Sequence, residues 1–425
     1  MYLLTLLLAL SLLTSWGCNT TAVGERRVAA DSAIIVVPGY YGTRLIQAGT
    51  GDLVWISASE ALFGKRSLIL PQTDLGIHDG LDLKPDGVLR NVSVVPGFYS
   101  LDVYGPLLSA LEQFEGGRTR VVPLAYDWRL DVMDVVVQLE RTVQELRAQG
   151  IKKIALVGHS MGGLAAAYYL RYGGQDPERA VENWQGAVQV DVVVLTGVPY
   201  RGSLTVLRNM QLGRRVGLNS TLLHQEAVAS FPSSYYLLPA SDDPVFLSVA
   251  GATVPIGLYE PLHWKEYGWG LMKRSQELST EVAANRLIYT ATWLQRAKRF
   301  SERINAPALT PNPTPLPLLA VTGTGTETLA AALWVGTGAI YGASVLFEQD
   351  EFEREGQYLD SRLRLQDGDG TVLVASVQLP EAYRQAFKTT KREVVEEHDD
   401  LIHDRDRMAG ILSFLREVLA GVGRE

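Results

Sequence analysis

The chain has 425 residues, of which 47% are hydrophobic and 20% charged, so it is long and apolar enough to bury a large core. This composition excludes disordered, collagen-like and small disulfide-rich proteins. The 39 basic and 47 acidic side chains give a formal net charge of −8, so nucleic acid is not an expected partner. The single cysteine, Cys18, excludes intramolecular disulfides and thiolate metal clusters.

The N-terminus resembles a secretory signal. Residues 3–13 are almost entirely apolar, but a membrane-spanning helix needs about 20 apolar residues, so this run is too short to span. Cys18 follows the run at the place of the lipidated cysteine in bacterial lipoprotein signals. We therefore expect a signal peptide at 1–17, a lipid anchor on Cys18, a linker at 18–32, and a secreted or envelope location. The alternative is an ordinary cleaved signal in which Cys18 has no role.

After residue 32, short apolar runs alternate with longer amphipathic stretches. This pattern is typical of a mostly parallel sheet with helices on both faces, that is, of the α/β fold class. The predicted buried strands are 33–37, 120–124, 154–157, 190–195, 316–321 and 393–396. The predicted helices, which carry apolar residues at helical spacing, are 104–114, 132–149, 163–172 and 405–419.

The alternation is interrupted by a stretch that contains an amphipathic helix around 287–304 and ends in a proline-rich connector, which is too stiff for a helix. We interpret residues 200–315 as a cap inserted into a core formed by 33–199 and 316–425. Most apolar residues of the cap are expected to form its own core, and some face a ligand if it covers a site. The later apolar stretch 329–347 is interrupted by glycines, so it is predicted to be buried strand and loop rather than a membrane span.

A serine stands in a turn between a predicted strand and a predicted helix. Residues 158–163 are Gly-His-Ser-Met-Gly-Gly, with glycine two positions before and after Ser160. Such a nucleophile elbow lifts the hydroxyl clear of the sheet, and its tight turn leaves almost no room for flanking side chains. The turn also places the hydroxyl at a helix N-terminus, where backbone N–H groups can bind an oxyanion. Ser160 is the predicted nucleophile.

A serine hydroxyl needs a base that removes its proton and an acid that orients the base. Of the six histidines, only His398 and His403 follow a late core strand, and this fold class orders its triad as serine, acid, histidine. His398 comes directly after strand 393–396 and is the predicted base, with His403 as the alternative. His159 adjoins the nucleophile and is expected to point elsewhere.

The acid is predicted in residues 366–372, Gln-Asp-Gly-Asp-Gly-Thr-Val, where glycines permit a tight turn that presents a carboxylate. We predict Asp369, with Asp367 as the alternative. A type I′ turn or a calcium loop is the non-catalytic interpretation of this segment. The glutamate that closes a calcium loop is missing, which argues against the second of these.

An oxyanion hole commonly takes one N–H from the residue after the nucleophile and one from a loop after an early strand. Met161 is the first predicted donor. Residues 38–43, Pro-Gly-Tyr-Tyr-Gly-Thr, follow the first strand, so the Tyr40 N–H is the second. Taken alone, an ordinary Pro-Gly turn is the alternative interpretation of this loop.

These residues resemble the lecithin:cholesterol acyltransferase-like family of α/β-hydrolases over roughly residues 34 to 400. The specific pieces are Tyr-Asp-Trp-Arg at 126–129 and Asp-Gly-Asp-Gly-Thr-Val at 367–372, while many hydrolases share the serine elbow. The resemblance implies an α/β-hydrolase fold with an inserted cap. It also implies a triad of Ser160, Asp369 and His398, with Tyr40 and Met161 in the oxyanion hole.

Residues and resemblance together predict a serine acyl hydrolase that acts on lipid carboxylic esters. Its acyl-enzyme is released to water, as in a lipase or phospholipase A, or to a sterol or other alcohol. We expect a lipid or phospholipid substrate and a membrane surface as partners and no metal or cofactor; the oligomeric state is not predicted. The alternatives are a non-catalytic envelope lipoprotein that binds apolar ligands, and a peptidase or thioesterase that shares the elbow. Asp127 and Arg129 are expected to form a buried ion pair that braces the site.

Overall fold

The computed structural model describes residues 30–95, 99–336, 344–402 and 404–419. The predicted signal peptide, Cys18 and His403 lie outside the described residues. The strands are β1 (Ser32–Val37), β2 (Thr43–Gln47), β3 (Leu53–Trp55), β4 (Leu83–Val88), β5 (Asn91–Val95), β6 (Tyr99–Asp102), β7 (Thr119–Pro123), β8 (Lys153–His159), β9 (Val192–Thr196), β10 (Arg214–Val216), β11 (Asn219–Leu223), β12 (Phe246–Leu247), β13 (Pro317–Thr324), β14 (Thr326–Leu329), β15 (Ala332–Trp334), β16 (Val345–Leu346), β17 (Leu365–Gly368) and β18 (Lys388–Val395).

The helices range from single turns to 26 residues. They are α1 (Ala58–Phe63), α2 (Gly105–Glu112), α3 (Val132–Ala148), α4 (Met161–Tyr172), α5 (Gln185–Gln189), α6 (Leu204–Leu212), α7 (Gln225–Ser230), α8 (Pro232–Tyr236), α9 (Pro261–Tyr267), α10 (Thr280–Asn305), α11 (Gln349–Arg354), α12 (Ser361–Arg364), α13 (Val374–Val377), α14 (Glu381–Ala386) and α15 (Arg405–Leu419).

Six strands form one parallel sheet in the order β7-β1-β8-β9-β13-β18. They are the six strands that the sequence predicts, so the predicted parallel sheet is confirmed. Strands β2 to β6 were not predicted; each has only three to six residues, and they form small antiparallel sheets. Because the carboxyl ends of parallel strands lie at one edge, the loops after β1, β8, β9 and β18 meet there.

Helices cover both faces of this sheet, as predicted. Alternate residues of a strand point to opposite faces. Along β1, Ala33 and Ile35 are therefore buried in one core with α3 and α4, whereas Ile34 and Val36 are buried in a second core with α2 and α15. The central strands are consequently apolar on both faces, which explains their continuous Val/Ile/Leu runs.

The chain between β9 and β13 forms α6 to α10 and β10 to β12. The predicted amphipathic helix is α10, which contacts α8 and α4. Strand β12 pairs with β15, so this stretch also joins a small sheet with the chain that follows β13. The cap boundaries at 200 and 315 stay a prediction.

A buried arginine ties the end of α10 to the core. Arg171 on α4 is fully buried and pairs with Glu182. Its guanidinium also donates to the main-chain oxygens of Ala306, at 2.8 Å, and Pro307, at 2.7 Å. Glu182 in turn accepts the Thr310 N–H at 2.6 Å. The proline-rich connector is thereby held against the helix that begins after Ser160.

A second ion pair holds the middle of α10. Arg296 donates through Nε to Asp131 Oδ2 at 2.8 Å. Asp131 is also the N-cap of α3, where it accepts the Met133 N–H at 2.9 Å, and it accepts the Tyr236 hydroxyl at 2.5 Å. One carboxylate therefore joins α3, α8 and α10.

Residues 329–347 contain the end of β14 together with β15 and β16, and residues 337–343 lie outside the described part. The prediction of buried strand holds for β15 and β16, which are mostly buried. No helix within the described ranges combines the length and the apolar character that crossing a membrane requires.

Candidate active site

Ser160 lies at the turn between β8 and α4. Its backbone has φ 52° and ψ −125°, a left-handed conformation that costs a non-glycine residue free energy and recurs at functional sites. The glycines around it are required by space: a Cβ on Gly162 would collide with the main-chain oxygen of Pro38, and a Cβ on Gly163 with the side chain of Val198. The elbow therefore packs closely against the loops that follow β1 and β9.

The structure brings Ser160, His398 and Asp369 into one hydrogen-bonded chain. His398 Nε2 lies 2.8 Å from Ser160 Oγ, and His398 Nδ1 lies 2.7 Å from Asp369 Oδ2. All three residues are buried: 8% of the surface of Ser160, 7% of that of His398 and 1% of that of Asp369 is exposed. The Asp369 carboxylate accepts a hydrogen bond from Nδ1–H, which leaves the Nε2 lone pair facing the serine hydroxyl.

Asp369 is held by its own turn. Its second oxygen, Oδ1, accepts the N–H groups of Thr371 at 3.0 Å and Val372 at 2.7 Å. Its main-chain oxygen accepts the His398 N–H at 2.9 Å. The acid and the base are thus fixed to each other through the backbone as well as through their side chains. The glycines of this segment serve the tight turn that the sequence indicates.

Charges around the imidazole set its protonation. Burial by itself lowers the pKa of His398, but the hydrogen bond to Asp369 and the negative charges of Asp369 and Asp399 outweigh burial, so the pKa of His398 is raised from its ordinary value. Arg214 acts in the opposite direction and lowers it. The base is therefore more easily protonated than a free histidine.

The loop after β1 passes directly beside the nucleophile. It forms a β-turn in which the Gly42 N–H donates to the Gly39 oxygen at 3.0 Å. A Cβ on Gly39 would lie 2.8 Å from the Ser160 Cβ, so only glycine allows this approach. Tyr40 and Tyr41 occupy the two central positions of the turn, and both line the same cavity as Ser160.

The two predicted oxyanion donors lie on either side of the serine. Met161 is the first residue of α4, where a backbone N–H has no acceptor within the helix. The Tyr40 N–H donates to no group in the described part of the protein. Neither N–H group is thus committed to an acceptor that the described residues supply, and their role in an oxyanion hole stays a prediction.

The segment after β7 supports this turn. The Tyr126 hydroxyl donates to the Pro38 oxygen at 2.5 Å, and Trp128 Nε1 donates to the Thr43 oxygen at 3.0 Å. The predicted ion pair is confirmed: Arg129 and Asp127 are buried, with Nη2 and Oδ2 2.8 Å apart. Arg129 also donates to the Leu68 oxygen at 3.0 Å, so the pair joins this segment to the chain that precedes β4.

A buried chain of hydrogen bonds links the β1 loop to the histidine, and sequence reasoning missed it. The Gly39 N–H donates to the Tyr104 hydroxyl at 2.7 Å. The main-chain oxygen of His398 can only accept, so His159 carries its proton on Nε2 and donates to that oxygen at 3.3 Å. His159 Nδ1 then accepts the Tyr104 O–H, also at 2.7 Å. Burial, and secondarily the neighbouring His398, lower the pKa of His159 to about 3. His159 is therefore neutral and serves as a connector.

The alternative site residues do not join this arrangement. Asp367 is exposed, and its carboxylate accepts the Gly325 N–H at 2.6 Å instead of meeting an imidazole. His403 lies outside the described residues.

Ser160 opens onto a cavity of about 290 Å³. Its wall includes the imidazole of His398 and the rings of Tyr40 and Tyr41, and also the charged side chains of Arg208, Arg214 and Asp399. The cavity thus combines an apolar aromatic side with charged groups, which suits a ligand that has both apolar and polar parts.

The middle of the chain is similar to a known family. Residues 99–306 match the family model of lecithin:cholesterol acyltransferase. A phosphatidylcholine-sterol acyltransferase of Mus musculus is 26% identical over 174 residues, which is 37% of this chain and 37% of that protein. Lecithin-cholesterol acyltransferase-like 4 of Arabidopsis thaliana is 27% identical over 142 residues, 33% of this chain and 24% of that protein. The matched part thus spans well under half of these relatives.

One solved structure resembles nearly the whole chain. A chain of the Tle4-Tli4 complex superposes with a TM-score of 0.58 over 93% of this chain and 100% of its own length, at 14% sequence identity. At that identity the likeness concerns the fold alone. The sheet order and the elbow after β8 are those of the α/β-hydrolase fold that the sequence predicts.

Proposed function

We propose that this chain is a lecithin:cholesterol acyltransferase-like α/β-hydrolase, and that it is a serine acyl hydrolase or acyltransferase that cleaves lipid carboxylic esters. The observation that supports this most is the buried hydrogen-bonded chain from Ser160 through His398 to Asp369. A strained serine, an imidazole and a carboxylate in this order are the parts that acyl transfer through a covalent intermediate needs.

In the proposed reaction, His398 Nε2 takes the proton from Ser160 Oγ as this oxygen attacks the ester carbonyl. The carbonyl oxygen becomes an oxyanion, which the N–H groups of Tyr40 and Met161 stabilise. The protonated imidazole then gives its proton to the leaving alcohol, and the acyl group stays on Ser160. Asp369 holds the imidazole in the required tautomer and stabilises its positive charge.

The acyl-enzyme needs an acceptor. Water as the acceptor gives lipase or phospholipase A activity, and an alcohol gives acyltransfer. We propose both outcomes for this protein. The names of two relatives describe transfer of an acyl group to a sterol, so an alcohol acceptor is considered beside water. Mass spectrometry of vesicles incubated with the protein, with and without a sterol or diacylglycerol, measures the partition: free fatty acid indicates hydrolysis and a new ester indicates transfer.

A fluorophosphonate probe tests the nucleophile. We expect the probe to label the wild type on Ser160, and Ser160→Ala to lose both labelling and ester hydrolysis. Ser203→Ala is the matched control, since this hydroxyl lines the same cavity but bonds to the Thr371 oxygen at 2.5 Å. A folded wild type that does not react at Ser160 would favour the non-catalytic lipid-binding alternative. Assays with peptide amides and with thioesters as substrates test the peptidase and thioesterase alternatives.

We further propose that residues 200–315 form the cap and that Cys18 anchors the protein to the cell envelope, close to its lipid substrate. The proposal for Cys18 rests on its position after the apolar run 3–13. Labelled palmitate should enter the wild type and not Cys18→Ala. Equal incorporation in both would contradict the anchor.

A further inference from the structure

Two hydrogen-bond donors in the cavity beside Ser160 have no acceptor in the described part of the protein. Arg214, the first residue of β10, is exposed, lines the cavity and forms no ion pair with any described residue. The hydroxyl of Tyr41 is buried and makes no well-formed hydrogen bond there, although it lies close to the Arg214 guanidinium and to Tyr40. The two groups are adjacent, because the Arg214 guanidinium carbon lies 5.0 Å from the centroid of the Tyr41 ring.

The backbone of Tyr41 adopts a conformation that is strained for a tyrosine. Tyr41 has φ 68° at the third position of the Gly39–Gly42 turn, where this type of turn favours glycine. A left-handed conformation in a bulky residue is strained, and such strain is concentrated at functional sites. The ring is packed against Trp55 and Trp128, with ring centroids 5.2 and 4.8 Å away.

The other charged groups of the cavity differ from Arg214. Arg208 is neutralised by Glu348, and it also donates to Asn209 Oδ1 at 3.0 Å. Asp399 is the cavity's exposed carboxylate, and it forms no ion pair with Arg214 in the described ranges. Among the charged residues of this cavity, Arg214 is therefore the cation that forms no ion pair with a described carboxylate.

The position of the Arg214 guanidinium over the Tyr41 ring leaves the outer N–H groups of the arginine free for a ligand. A guanidinium that stacks on an aromatic ring uses its face, while its N–H groups point outward in its own plane. Those N–H groups match the oxygens of a phosphate, and the neighbouring phenol supplies another donor. An acyl ester bound at Ser160 would bring its alcohol part into this cavity.

We propose that Arg214 and Tyr41 form a phosphate-binding subsite that selects esters whose alcohol part carries a phosphoryl group. The inference rests on the proposed function, and it adds the residues that would select the headgroup of the substrate. Arg214 lies on a hairpin strand, paired with Leu223 of β11, so its main chain is fixed independently of the ligand.

The test compares two soluble short-chain substrates, dihexanoylglycerol and its 3-phosphate, below their micellar concentrations. Because Arg214 also lowers the pKa of His398, both esters are assayed on the alkaline plateau of the pH profile, where the imidazole is unprotonated. There, Arg214→Gln should lower kcat/KM for the phosphate ester about 10- to 100-fold, the range for a charge-assisted hydrogen bond, and change that for the neutral ester less than about twofold. Tyr41→Phe should lower only the phosphate ester's value, by roughly fivefold. Arg215→Gln is the matched control, since this neighbouring exposed arginine does not line the cavity.

Inorganic phosphate at constant ionic strength, tested as an inhibitor of p-nitrophenyl butyrate hydrolysis, separates two sources of the anion. Inhibition that Arg214→Gln relieves supports a subsite that also takes free phosphate, whereas substrate selection without inhibition supports a headgroup subsite. Equal effects of Arg214→Gln on both esters, or no effect, overturn the subsite and leave the enzyme proposal intact. Failure of the wild type to hydrolyse any ester or to label with fluorophosphonate overturns the proposed function itself.

Discussion

Tyr104→Phe is the sharpest test of the buried connection between the β1 loop and the histidine. The change removes one hydroxyl and leaves the ring in its buried place on the N-terminal side of α2. It deprives two buried groups of their partners in the described structure, the Gly39 N–H and His159 Nδ1. Each such loss costs about 1–3 kcal/mol, and because the two groups are neighbours we expect about 2–4 kcal/mol in total.

For a chain of this length, the entropy of unfolding converts this loss to a fall in Tm of roughly 2–5 °C. The effect on catalysis should be larger than the effect on folding. Without the Tyr104 hydroxyl, the Gly39 N–H is no longer held, so the turn that carries the Tyr40 N–H can shift. Losing one oxyanion donor entirely costs about 100- to 1000-fold in kcat. Because the donor is displaced rather than removed, we expect kcat to fall about 10- to 100-fold, with KM within about twofold.

The assay is steady-state hydrolysis of p-nitrophenyl butyrate, with Tm measured on the same samples. Tyr383→Phe is the matched control, because its buried hydroxyl donates to the Ala167 oxygen at 2.9 Å away from the triad. That variant should lose about 1 kcal/mol and keep its kcat. Wild-type kcat in Tyr104→Phe, or an equal fall in kcat in both variants, would refute the positioning role.

Two further predictions concern the imidazole and the turn. A general base works only when unprotonated, so activity should fall as the pH drops through the raised pKa of His398, above the ordinary value of 6.5. Asp399→Asn removes a charge that raises this pKa, so the acid limb of the kcat profile should move to lower pH; an unchanged or upward-shifted limb contradicts the electrostatic account. Gly39→Ala should abolish most activity, since its Cβ would lie 2.8 Å from that of Ser160, whereas Gly49→Ala, with no atom within 4 Å, should be neutral in the same assay.

The six strands of the main sheet could be predicted because buried parallel strands are apolar on both faces, which gives continuous Val/Ile/Leu runs. The limits of β18 were predicted poorly because most of this strand lacks such an apolar run. The prediction covers 393–396, whereas the strand is Lys388–Val395. It is an edge strand with mostly exposed polar residues, and Val394 is its buried residue, so the apolar signal is confined to its end.

The site shows a similar division. The serine elbow is local in sequence, and the acid and histidine could be named because they follow late core elements in a known order. The Tyr104–His159 bond joins residues 55 apart, and no periodic pattern or motif records such a contact. Likewise, nothing in the sequence near Arg214 indicates that its guanidinium stacks on Tyr41. Contacts of this kind arise from tertiary packing, so only coordinates reveal them.

The anchoring of α10 has a consequence for how any cap can open. This helix lies within the predicted cap, yet Arg171 holds its carboxyl end and Asp131 holds its middle. Its amide hydrogens should therefore exchange with solvent only when the whole core unfolds, at the pace of the central strands. We therefore expect the rearrangement that admits a bulky lipid to involve the chain between β9 and α10 rather than α10 itself, and deuterium uptake should map it there.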